Sequence, residues 1–190
     1  LVRVMGMIYR IPMTAIIGDK GNGFYSYAYS VYTILLLLSS YSLPLAVSKM
    51  VSAKAQLGQW RNVKRVFICA IAFAIGIGTT FGLIVLIGAQ FFTRVFFHSE
   101  LAAIALRFMA PNILIMALLG VFRGFFQGLQ NTLPTAVSQI VEGLINAIMS
   151  VVFAYFLFDF GHGMDAAGGT TDLGYAWGAA GGAIGTGAGA

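Results

Sequence analysis

Residues 21–48 and 66–93 form two stretches of 28 residues with no Asp, Glu, Lys or Arg. Each exceeds the roughly 20 apolar residues that a helix needs to cross a bilayer. A soluble domain is about a quarter charged, whereas this chain is 9% charged and 59% hydrophobic, with a mean hydropathy of +0.88. The runs are continuous and far outlast the roughly 10-residue alternating segments of a barrel strand. Helices satisfy their own backbone groups within one segment, so helices are the expected spanning elements. The sequence therefore predicts an all-α, polytopic membrane helix bundle.

Six spans are expected, at approximately 1–17, 24–48, 66–90, 103–126, 134–158 and 174–190. Leu1 is not an initiator methionine and the chain stops in "GAAGGAIGTGAGA", so the first and sixth spans are read as truncated and the middle four as whole. The start has no short apolar core with a small-residue cleavage site, as a signal peptide would. Cys69 is the single cysteine and cannot form an intrachain disulfide.

The stretch "SKMVSAKAQLGQWRNVKR" carries Lys49, Lys54, Arg61, Lys64 and Arg65 with no acid. The positive-inside rule makes residues 49–65 the cytoplasmic loop of a multi-pass cell-membrane protein. The net charge of +5 then reflects topology. Basic residues at span ends anchor to anionic headgroups, so nucleic acid is not an expected partner. With that loop inside, "GDKGNG", "FFTRVFFHSE" and "DFGHGMDAAGGTTD" fall outside and "RGFFQGLQNTLP" falls inside. Gly18, Gly21 and Gly23 do not match the spacing of a phosphate-binding loop. With Asp19 and Asn22 they read as turn residues at the outer surface.

Ionisable and amide side chains inside a membrane span are costly and usually face a cavity or a partner. Arg10 and Arg3 are seven residues apart and share one helix face, where two guanidinium forks suit a phosphate or carboxylate. The alternative for both is snorkelling to an interface. Pro12 is expected to disturb that helix. Glu142 lies about eight residues into the fifth span, as a structural ion-pair partner or as a site for a coupling cation or substrate. Gln139, Glu142 and Asn146 fall on one face at three- and four-residue spacing, either gluing helices together or lining an aqueous path. Asn112, beside Pro111, is read as lining a cavity. Tyr25, Tyr29 and Tyr32 share a face as an interfacial belt or a sugar-stacking platform. Four-residue glycine spacing at Gly174, Gly178 and Gly182, and at Gly181, Gly185 and Gly189, marks a packing helix.

Catalysis finds little support. His98 and His162 lie in different expected loops, neither with a carboxylate or cysteine at metal-ligand spacing. No Gly-x-Ser-x-Gly nucleophile motif is present. No enzyme activity, cofactor or metal is expected.

The segments "YRIPMTAIIGDKGNGFYSYAYSVYTILLLLSSYSLPLAVSKMVS" and "GFFQGLQNTLPTAVSQIVE", in this order and with this span pattern, resemble the polysaccharide-flippase branch of the multidrug/oligosaccharidyl-lipid/polysaccharide exporter superfamily. The nearest group is that of stage V sporulation protein B-like transporters, related to lipid II flippases. The resemblance implies a two-lobe transporter, of which this chain is the N-terminal six-helix lobe, moving a lipid-linked oligosaccharide or peptidoglycan precursor across the cytoplasmic membrane by alternating access. It also implies cavity arginines on the first helix, where Arg3 and Arg10 fall, contacting a sugar-linked pyrophosphate. Membrane lipids and a coupling cation are the other expected partners. Two alternatives remain: a cation-coupled multidrug exporter of the same superfamily centred on Glu142, and a polytopic membrane enzyme acting on lipid carriers.

Overall fold

Gly18 is the one non-helical position within the first helix, at φ 64° and ψ −176°. That backbone region is essentially closed to residues with a Cβ. The computed structural model describes the backbone of residues 2–39, 42–168 and 172–189, and the side chains of residues 11–37, 42–163 and 172–189. Six helices follow in order: α1 (Val2–Ser39), α2 (Leu43–Gln56), α3 (Trp60–Phe97), α4 (Ala102–Gly128), α5 (Leu133–Gly168) and α6 (Leu173–Gly189). No strand occurs among the described residues.

The break at Gly18 folds α1 back on itself. Met13 and Tyr25 are twelve positions apart, roughly 18 Å along an unbroken helix. A Cβ on Gly182 would nevertheless meet Met13 Sδ at 3.2 Å and the Tyr25 ring at 3.3 Å. One residue of α6 touches both limbs, so they flank it side by side. The turn expected over residues 18–23 is thus narrowed to Gly18, and Asp19 to Gly23 already belong to the second limb. Pro12, expected to disturb the first limb, lies within continuous helix. Its missing N–H costs one hydrogen bond, a loss that membrane helices absorb.

Directions follow from the close approaches of glycine. Gly161, Gly178, Gly181, Gly185 and Gly189 meet, in turn, Gly174, Phe158, Phe153, Ser150 and Glu142, so α5 and α6 run antiparallel along nearly their whole contact. Gly78 and Gly82 of α3 meet Leu114 and Ala110 of α4, also antiparallel. Gly124 and Gly128 of α4 meet Pro44 and Val51 of α2, which run parallel. Lipid tails are as apolar as leucine, so burying an aliphatic side chain between membrane helices gains little, and close van der Waals contact decides the packing. A Cβ on Gly185 would lie 2.3 Å from Ser150 Cα, a separation at which the helices would have to part.

Three helical segments are long and apolar enough to cross a membrane: Trp60–Phe97, Ala102–Gly128 and Leu133–Gly163. Of these α4 is central, with Leu106, Met109, Ile113 and Val121 fully buried. α3 and α5 are peripheral and turn Ile87, Phe91, Ile148 and Phe156 outward. Large apolar side chains turned outward, with glycine at the closest helix contacts, describe a helical membrane bundle in which lipid is the solvent. The second limb of α1 ends at Ser39 and α2 opens at Leu43, with Pro44 in its first turn, a position where the lost N–H has no intrahelical partner.

Candidate functional site

α4 ends at Gly128 and α5 starts at Leu133, so Arg123 and Glu142 face each other across one short turn. The Arg123 guanidinium donates through Nη2 to Glu142 Oε2, and its Nε donates to Ser138 Oγ at 3.3 Å. The two side chains are 17% and 22% exposed. α4 and α5 otherwise make few contacts, so this charged group is their main link. An isolated charge at the centre of a membrane helix costs roughly 3 kcal/mol on insertion scales. Pairing removes the net charge and supplies the guanidinium with two acceptors.

Two turns further along α5, Ser150 Oγ donates to Asn146 Oδ1 at 2.8 Å and lies 3.4 Å from the Gly182 carbonyl. Thr186 Oγ1 donates to that same carbonyl at 3.1 Å. Its single proton is thereby committed, so Tyr25 O–H donates to Thr186 Oγ1 across 3.2 Å. A polar seam thus joins the second limb of α1 to α6 and α5. Glu142 lies on the same face of α5 one turn from Asn146.

Asn112 is 1% exposed and donates through Nδ2 to Tyr32 O–H at 2.8 Å. Among the described residues its buried Oδ1 has no hydrogen-bond partner, and a Cβ on Gly187 would lie 3.9 Å from it. Tyr25 and Tyr32 are each 2% exposed and belong to the core. Only Tyr29 of that trio is open, with ring centroids 5.8 Å from Tyr25 and 6.0 Å from Tyr32. The face expected to be a belt or platform is therefore mostly interior.

The residues singled out from the sequence divide as follows. Asn112 sits in the α1–α4–α6 core, while Glu142 and Asn146 lie along the α5 seam. Gln139 is exposed. The side chains of Arg3 and Arg10 lie outside the described residues. Sequence reasoning missed Arg123, placed with the inner loop because "RGFFQGLQNTLP" reads as a polar turn. The available signal was a base five residues before the turn and an acid nine residues into the next helix, both too deep to be loop residues. At the opposite end of the bundle Lys20 Nζ pairs with Asp172 Oδ1 at 3.0 Å, joining α1 to the start of α6. That hydrogen bond and the carboxylate charge raise the Lys20 pKa above its ordinary value.

A family model described as polysaccharide biosynthesis protein matches residues 1–179. The chain belongs to this polysaccharide biosynthesis protein family. Among relatives, it is 28% identical over 154 residues to the lipid II flippase MurJ of Bacillus subtilis (strain 168), covering 77% of this chain and 28% of that protein. It is 26% identical over 168 residues to stage V sporulation protein B of the same organism, covering 88% of this chain and 32% of that protein. A similar match, 25% over 168 residues, joins it to the uncharacterized membrane protein YabM, again of Bacillus subtilis, covering 88% of this chain and 31% of the relative. The chain thus spans about a third of the length of these relatives. No solved structure matches it. As a polysaccharide biosynthesis family member with three membrane-capable helices, it is a multi-pass membrane protein.

Proposed function

We propose that the chain forms the N-terminal lobe of a flippase that carries a lipid-linked oligosaccharide or peptidoglycan precursor across the cytoplasmic membrane by alternating access. The single observation that carries this reading is the likeness to the lipid II flippase over 77% of the chain. A sugar pyrophosphate on a lipid cannot bring its charge through hydrocarbon unaided. A basic recess between two lobes would shelter the headgroup while the lipid tail stays in the bilayer. In this reading residues 49–65 face the cytoplasm, and Arg3 and Arg10 contact the pyrophosphate through charge-assisted hydrogen bonds.

The rival cation-coupled exporter would use Glu142 as its carboxylate. Here Glu142 is engaged by Arg123, which favours a role in holding helices together over one in binding a cation. The rival enzyme would release new covalent products from a lipid carrier. The test is translocation of a labelled lipid-linked sugar in vesicles by the whole protein and by its Arg3→Ala and Arg10→Ala variants at matched expression. The proposal expects loss in both variants, no covalent product, and competition by lipid-linked sugars but not by drug cations. Undiminished translocation in both variants would remove the arginines from the mechanism, and a new product would favour the enzyme.

A further inference from the structure

α2 and α3 form an antiparallel hairpin closed by the Gly58 turn, and their outer surfaces leave a groove of about 490 Å³ between them. That volume lies within the range of about 300–1,000 Å³ typical of small-ligand clefts. Leu43, Ala46, Val47 and Met50 form one wall, and Val66, Cys69, Ala70 and Phe73 form the other. The one acidic or basic side chain in the lining, among the described residues, is Arg65. It stands at the turn end of the groove, on the same helical face as Cys69 and Phe73, one and two turns further in. The groove is therefore apolar along its length and cationic at one end.

Among the described residues no carboxylate neutralises that end. No Asp or Glu occurs anywhere from Lys20 to Ser99. Among the described residues Arg65 has no ion pair, unlike Arg94, Arg123 and Lys20, which each have a carboxylate. Lys49, Arg61 and Lys64 are exposed around it, and Trp60, 63% exposed, marks the level of the membrane interface. A patch of this kind attracts anionic lipid at the membrane surface.

We infer that the α2–α3 groove is a binding site for an anionic glycerophospholipid, with one acyl chain lying between Leu43 and Phe73 and its phosphate at Arg65. The occupant is amphipathic because the groove is, and anionic because, among the described residues, the one charge in its lining is a guanidinium without a carboxylate partner. A guanidinium fork can donate two hydrogen bonds to one phosphate. The site is separate from the recess assigned above to the transported headgroup and does not depend on that assignment.

The test is photo-crosslinking of the whole protein in nanodiscs with phosphatidylglycerol that carries a diazirine on one acyl chain. Crosslinks are expected on peptides containing Leu43 to Met50 and Cys69 to Phe73. Unlabelled phosphatidylglycerol should compete, and phosphatidylcholine of the same chains should not. Arg65→Gln should weaken labelling about fivefold, Arg65→Lys should retain most of it, and Ala46→Trp, which fills the groove without touching the charge, should abolish it. Folding of each variant is checked by its elution from a sizing column. Equal competition by phosphatidylcholine, labelling of Arg65→Gln at the level of the parent protein, or preferential displacement by a polyprenyl pyrophosphate would each overturn the inference.

Discussion

Arg123 of α4 and Glu142 of α5 form a half-buried ion pair, with Ser138 as a second acceptor for the guanidinium. Because the two helices share little other contact, the pair fixes their separation at this level. Removing one partner leaves an uncompensated charge in a poorly hydrated place. Arg123→Gln or Glu142→Gln alone should destabilise the bundle by roughly 2–4 kcal/mol. The double variant should recover much of that loss, since two amides can hydrogen-bond to each other. Denaturation in mixed detergent, followed by helical circular dichroism, measures the four corners of this cycle. Additive losses would show that the pair is not coupled.

Gly185 and Gly163 make opposite forecasts for the same substitution. At Gly185 a Cβ would fall 2.3 Å from the Ser150 backbone, whereas at Gly163 it would meet no neighbouring element within 4 Å among the described residues. Gly185→Ala should cost roughly 1–3 kcal/mol through overpacking. Gly163→Ala, in the open part of α5, should be neutral or stabilising by up to about 1 kcal/mol through helix propensity. Thermal unfolding in one detergent compares them.

Gly18 carries the reversal of α1 at φ 64°, ψ −176°. Gly18→Ala should cost about 1–3 kcal/mol in strain, because that backbone region excludes a Cβ. Cysteines placed at residues 13 and 182 report whether the first limb still lies against α6. Crosslinking should fall in the alanine background and persist in the parent.

Lys20 is held in its charged form by Asp172. Its pKa is raised on folding, so the stabilising contact is fully present below the ordinary lysine pKa. It is lost only as pH rises through the higher folded value. Acylation of Lys20 near pH 10, read by mass spectrometry, should therefore be slower in the parent than in Asp172→Asn. Equal rates would mean that the contact is not maintained in solution.

The polar residues show how far a sequence reading carries. The depth of Glu142 was legible from its distance to the preceding turn, but its partner was not. Pairing depends on which helix lies alongside at the same height, and Arg123 sits in a segment that reads locally as a polar loop. Asn112, Tyr25 and Tyr32 were legible as a polar group and an aromatic face. That they turn inward to one another and to Thr186, rather than to a headgroup layer, depends on how the limbs of α1 seat against α4 and α6.

Alone, the sequence determined the all-α membrane architecture, because uncharged runs longer than a bilayer admit few other structures. It also determined that α6 packs closely, since glycine every fourth residue serves little other purpose in a membrane helix. Only the tertiary structure decided that α1 doubles back at a single glycine, that α4 is central while α3 and α5 are peripheral, and that Arg123 belongs to Glu142. The physical reason is that hydropathy is a property of each segment, whereas neighbours in a lipid-solvated bundle are selected by steric fit and polar pairing between segments distant in the chain.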